Sequence, residues 1–235
     1  MDRKEEYNKI AEKIVSHVEN GTTDQAPEIL KVPTSDYTSH ERWSSEMKDI
    51  FQNLPLMLAL SIEMPNPGDY KAMEVTGIPV LITRDKSNKV NAFRNVCTHR
   101  GAIVAQEGIG NRSRFSCPYH GWTYSNSGDL IGVTDKPKFG DIDNKCFGLE
   151  KLQCKELAGL IFVSLSKEDN VDFENFLDGM LPEMEYFNLE NWYYHGFKVI
   201  DGANWKIAFD GYLEGYHFTT AHKDTIATMT MNDIM

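Results

Sequence analysis

Two short motifs constrain this chain more than any other feature. The first is Cys97-x-His99, within NVCTHRG, and the second is Cys117-x-x-His120, within SCPYHGW, with 17 residues between them. Residues two apart on an extended chain point the same way, so Cys97 and His99 can face one centre from a single loop. Cys117 and His120 can do so from a tight turn across Pro118. Gly101 and Gly121 directly follow the two pairs. Glycine at those places lets backbone N–H groups approach a buried, electron-rich group. Two loops, each offering one thiolate and one imidazole, make a four-ligand metal site. The chain must therefore fold so that two hairpin tips meet.

Two metals suit such a donor set. Zinc takes two Cys and two His, usually with both histidines in one half of the motif. A Rieske-type [2Fe–2S] cluster takes two cysteines on one iron and two histidines on the other. Each half here carries one Cys and one His, which favours the cluster over zinc. The remaining cysteines, Cys146 and Cys154, fall outside the pattern and read as small structural hydrophobes.

The surroundings of the motifs read as β structure. LMLALSIEM, YKAMEVTG, PVLITRD and VNAFRNV are short apolar or alternating runs separated by the turn signals PNPGD and DKSNK. Strands continue through RFSCPYHGWTYSNSGDLIGV, with NSGD as a hairpin, and end with LQCKELAGLIFVSLS. GIGNRS, at 108–113, opens no helix and reads as a turn, not a nucleotide loop.

Helical patterns flank this β region. Tyr7, Ile10, Ala11, Ile14, Val15 and Val18 define an amphipathic N-terminal helix, and HERWSSEMKDIFQNLP a second, shorter one. VDFENFLDGMLPEMEYF reads as helix broken at Pro182, and WYYHGFKVI as a strand. The fold class is α+β. The expected domains are a helical segment and linker over 1–45, an all-β cluster domain over 46–166, and the start of a helix-on-sheet domain over 167–235.

A net charge of −11 argues against nucleic acid as a partner. The longest apolar run, LAGLIFVSL, is too short to span a bilayer, and the charged N-terminus carries no signal peptide. The expectation is a cytoplasmic protein with no membrane contact.

A second site lies near the end of the chain. In NWKIAFDGYLEGYHFTTAH, Trp205, Ala208, Phe209, Tyr212, Leu213 and Tyr216 form one helical stripe, with Asn204 as the cap. Asp210, Glu214 and His217 fall on the opposite face of that helix. His222 needs a bend or helix end to face the same way as His217, because five residues turn a helix by about 500°. Two imidazoles beside a carboxylate are what non-haem Fe(II) oxygenases use. The plain alternative is a solvated acidic face with two incidental histidines.

Taken together, CTHRG…CPYHGW and the Glu-x-x-His segment that follows NWK resemble the Rieske non-haem iron oxygenases. These are the large (α) subunits of aromatic-ring-hydroxylating dioxygenases and their monooxygenase relatives. The resemblance covers about residues 35–222 and matches the oxygenase and ferredoxin branch. The two bridging cysteines of respiratory-complex Rieske proteins are replaced here by Ala102 and Tyr119.

The resemblance implies that Cys97 and Cys117 bind one iron of a Rieske-type [2Fe-2S] cluster, and His99 and His120 the other. It implies a mononuclear non-haem Fe(II) on His217 and His222. Glu214 corresponds to the acidic residue that links the two kinds of site across a subunit boundary, a position that is often Asp. Asp210 corresponds to a position more often Glu or Asn. The family's third iron ligand is a carboxylate much further along, and Asp224 and Asp233 come too soon to be it. On this reading the chain is the N-terminal portion of a longer subunit.

The implied activity is O2-dependent hydroxylation of an organic, aromatic substrate, with electrons from NAD(P)H through a reductase or ferredoxin. The implied assembly is a homotrimer, with or without a small β subunit. The rivals are a Rieske ferredoxin-like electron carrier and a catalytically inert subunit that keeps only the cluster.

Overall fold

A computed structural model describes residues 3–139, 141–167 and 170–229. The fold is α+β and divides into two compact units, residues 41–197 and a second made of 1–40 with 198–235. The elements up to the first sheet are α1 (Arg3–Asn20), α2 (Ser35–Thr38), α3 (His40–Glu46), β1 (Leu56–Leu60), β2 (Asp69–Val75), β3 (Ile78–Arg84) and β4 (Val90–Arg94). There follow β5 (Gly108–Asn111), β6 (Arg114–Ser116), β7 (Thr123–Ser125), β8 (Leu130–Gly132), β9 (Lys151–Leu152), β10 (Cys154–Leu157) and β11 (Leu160–Val163). The last are α4 (Phe173–Phe176), α5 (Leu181–Tyr186), α6 (Trp205–Leu213) and α7 (Phe218–Ala221).

The larger unit stacks three antiparallel sheets. A five-stranded sheet in the order β5-β2-β3-β4-β9 lies between β1-β11-β10 and β6-β7-β8. The continuous apolar run of β3 follows from this, because both faces of the central strand are covered. Val80 and Ile82 pack with Ala59, Ile161 and Val163 on one side. Leu81, pointing the other way, packs with Phe93, Phe115, Trp122 and Tyr124 on the side that carries the cysteines. Burying these side chains contributes about 1.5–3 kcal/mol each. Arg84, only 4% exposed, is satisfied by a bidentate pair with Glu156 and by the carbonyls of Met64 and Asn88.

Three expectations are corrected here. GIGNRS contains an edge strand: β5 pairs with β2 from Asp69↔Asn111 to Ala72↔Gly108. Its glycines carry no strand propensity, and the open edge of β2 supplies the pairing instead. Pro182 does not break a helix; it sits in the first turn of α5, where its missing N–H costs nothing. The interruption is the turn between α4 and α5. The segment 192–200 forms no strand among the described residues, and Tyr193, Phe197, Val199 and Ile200 are exposed. Alternating apolar residues make a strand only where a partner edge exists.

In the smaller unit, α1 shows the expected stripe, but Tyr7, Ile10, Ile14, Val15 and Val18 are all exposed. No helix among the described residues is long and apolar enough to cross a membrane.

Candidate metal centres

The two cysteine loops share one backbone geometry. In the first, Cys97 N–H donates to Ala102 O (2.8 Å) and Gly101 N–H to Cys97 O (2.9 Å). In the second, Cys117 N–H donates to Trp122 O (2.7 Å) and Gly121 N–H to Cys117 O (3.0 Å). Gly101 and Gly121 close these turns at φ 76° and 70°, a region that costs a residue with a Cβ roughly 1 kcal/mol or more. The second loop is the tip of the β6–β7 hairpin. The first has only a Val96↔Ile103 bridge, and a side chain completes its neck: Asn95 donates to Ala105 O (2.7 Å) and accepts from Ala105 N–H (2.9 Å).

The loops bring the two thiols into one apolar cluster and the two imidazoles side by side. Cys97 and Cys117 are 2% and 3% exposed and belong to one apolar cluster. The His99 and His120 rings lie 4.7 Å apart, and His99 stacks on Trp122 at 4.8 Å with an interplanar angle of 9°. Burial, then His120 and Arg100, holds the His99 imidazole below its usual pKa, in the neutral form a metal requires. His120 Nδ1 is buried with no hydrogen-bond partner. An orphaned buried nitrogen costs about 1–3 kcal/mol, which a metal bond would remove. Two thiols and two imidazoles on separate loop tips fit a two-iron unit better than a single zinc.

Tyr124, on β7, reaches across to the first loop. Its hydroxyl lies 3.2 Å from Cys97 Sγ and accepts from Thr98 N–H at 3.1 Å. Burial, with Cys97 next, pushes this phenol up to about 12, so the proton stays on oxygen. Its strand position was legible, but not its partner 27 residues away. Arg100 lies over the Tyr119 ring (5.6 Å).

The second candidate site departs from the expected continuous helix. Asn204 caps α6 as foreseen, accepting from Lys206 N–H at 2.9 Å. The helix ends at Leu213, and Glu214 is extended, so Glu214 and His217 do not share a helical face with Asp210. The Gly215-containing turn lets Glu214 fold back: its Oε1 meets His217 Nδ1 at 2.5 Å. That contact holds the Glu214 carboxyl below the usual range. His217 and His222 flank the single turn of α7, and their rings lie 5.2 Å apart. The bend that His222 required is this break. Asp210 instead accepts from the Tyr37 hydroxyl at 2.7 Å. Asp233 lies outside the described residues.

With Glu214 on Nδ1, a metal would meet His217 through Nε2, the usual arrangement of a carboxylate-oriented imidazole ligand. Two imidazoles so placed fit part of an Fe(II) site. No third ligand joins them among the described residues.

Two family models match the chain. Residues 55–152 match the Rieske [2Fe-2S] domain, and residues 189–235 the catalytic domain of the ring-hydroxylating alpha subunit. The chain is 31% identical over 201 residues to the glycine betaine monooxygenase oxygenase subunit of Pseudomonas aeruginosa, covering 85% of this chain and 46% of that one. It is 33% identical over 219 residues to the toluate 1,2-dioxygenase subunit alpha of Pseudomonas putida, covering 87% and 47%. Its structure is similar to that of the quaternary ammonium Rieske monooxygenase CntA in complex with L-carnitine (TM-score 0.77, 28% identity, 86% of this chain and 58% of that one). The chain spans about half the length of the curated relatives it matches. With a domain match around each candidate centre and relatives aligned along most of its length, the chain belongs to the Rieske non-haem iron oxygenases, the family of the ring-hydroxylating alpha subunits.

Proposed function

We propose that this chain is the oxygenase component of a Rieske-type system that uses O2 to hydroxylate a small organic substrate, aromatic in the reading taken from sequence. Cys97, Cys117, His99 and His120 hold the [2Fe–2S] cluster, within a domain spanning 46–166, and His217 and His222 hold Fe(II). When bound, the cluster supplies one-electron transfer and the iron supplies open positions for O2. The chain's residues do the rest. Glu214 fixes the His217 tautomer and ring orientation and, by the family resemblance, links this site to the cluster of a neighbouring subunit. Trp122 covers one face of His99 and excludes water. Electrons come from NAD(P)H through a reductase or ferredoxin, and the assembly is a homotrimer with or without a small β subunit.

The observation that carries this reading is the paired loop geometry, with two buried thiols, two histidine rings 4.7 Å apart and an orphaned His120 Nδ1. Iron and acid-labile sulfide analysis of protein purified anaerobically tests it. About three irons and two sulfides per chain are expected. Two of each would instead fit an electron carrier or an inert subunit, and zinc without sulfide would overturn the cluster. A quaternary ammonium substrate is the second reading, favoured by the similarity to CntA. Oxygen uptake with a benzoate and with a trimethylammonium compound separates the two.

Tyr124→Phe is expected to lower the cluster's reduction potential. A cysteinate sulfur only accepts, so the Tyr124 hydroxyl donates to Cys97 and stabilises the more negative, reduced state. Losing about 1 kcal/mol of that preference corresponds to a drop of roughly 40 mV in a one-electron couple. Protein-film voltammetry reads it, and an unchanged potential removes Tyr124 from the cluster's environment.

A further inference from the structure

α6 leads directly into Glu214 and His217, yet none of its residues is buried. Core packing among the described residues therefore does not set its position. Polar contacts from the other end of the chain hold it instead. The Tyr37 hydroxyl, on α2, donates to Asp210 Oδ2 at 2.7 Å. Asn204 Nδ2 donates to the Tyr37 carbonyl at 2.8 Å, while its Oδ1 caps α6. Lys206 Nζ donates to the Asp36 carbonyl, and its ammonium lies 5.9 Å from the centre of the Tyr37 ring. Residues 36 and 37 thus grip α6 at its cap, its first turn and its last turn. The partners are separated by 167–173 residues in sequence.

We propose that Tyr37 and Asp210 form a latch that fixes the end of α6 and so positions the Glu214–His217 turn. Asp210 lies three residues before the last residue of α6, so fraying or rotation there moves Glu214 and, through it, the His217 ring. Tyr37 is a positioning residue, and Asp210 acts as a hydrogen-bond acceptor rather than as a charge. The same bond holds the Tyr37 phenol above its usual pKa range. The proposal rests on the reading that His217 and His222 hold iron, and extends it to a segment that the sequence shows only as a connection.

The test uses four variants, Tyr37→Phe, Asp210→Ala, the Tyr37→Phe/Asp210→Ala double and Asp210→Asn, each with the visible absorption of the cluster as an internal control. Fe(II) binding beyond the cluster iron is measured by anaerobic equilibrium dialysis. Hydrogen exchange of the α6 amides is followed in the same proteins and does not depend on iron.

Tyr37→Phe and Asp210→Ala are each expected to weaken Fe(II) binding by about 10-fold and to speed α6 exchange roughly 2- to 10-fold. The double variant should be no worse than either single one. Asp210→Asn, whose amide oxygen still accepts from Tyr37, should stay within about 2-fold of the unaltered chain. Unchanged exchange in Tyr37→Phe overturns the latch whether or not iron binds. An Asp210→Asn variant as impaired as Asp210→Ala overturns the acceptor role. If exchange rises as expected but the unaltered protein binds no second iron, the latch holds and the iron reading fails.

Discussion

Replacing His217 with alanine is expected to abolish O2-dependent substrate oxidation while leaving the visible absorption of the cluster unchanged. The separation follows from the architecture. His217 lies in the unit made of residues 1–40 and 198–235, whereas Cys97, His99, Cys117 and His120 all lie within residues 41–197. Only two imidazoles are available to the mononuclear site among the described residues, so removing one takes away half of its recognised donors. The loss should exceed the roughly 10–100-fold that follows when only the orienting partner of a ligand is removed. Glu214→Ala provides that milder comparison, because it frees Nδ1 of His217 without deleting the ring. Side-by-side oxygen uptake and absorption spectra check both variants. If His217→Ala also bleached the protein, the division into two independent centres would be wrong.

Much of this division was legible in the sequence because it is local. Cys97 and His99 sit close in sequence within one short turn, and the apolar runs before them, 78–84 and 90–94, form β3 and β4 in the structure. Asn204 could be placed as a cap because a cap bonds within its own first turn. What the sequence hid is what depends on a distant partner. β5 exists because β2 offers an edge, and its glycines gave no hint of it. Tyr124 and Asn95 act through atoms 27 and 10 residues away, and Tyr37 through a carboxylate 173 residues away. The helix break at Glu214 escaped for a different reason. The apolar spacing continues through Tyr216, so periodicity predicted helix where a side-chain contact between Glu214 and His217 favours an extended turn.

Cys117→Ala should yield a protein without the cluster's colour and with a lower melting temperature, and Cys97→Ala should behave alike because the loops share their hydrogen bonds. A bound metal group contributes its binding energy to the folded state, which an apo chain cannot recover. The alanine also leaves a small void among Phe115, Trp122 and Tyr124. For a chain of this length each kcal/mol lost lowers the midpoint by roughly 2–4 °C. The other two cysteines serve as controls of opposite meaning. Cys146 is exposed and its thiol donates to Asp143 within its own turn, so Cys146→Ala should leave both colour and midpoint unaltered. Cys154 lies on β10, outside both cluster loops, where burial pushes its thiol up to about 11 and it donates to the Val90 carbonyl at 3.7 Å. Cys154→Ala should therefore lower the midpoint modestly and leave the spectrum intact. Absorption spectra and thermal melts of the four variants decide the assignment. A coloured Cys117→Ala protein, or a colourless Cys154→Ala one, would mean that the iron is held elsewhere.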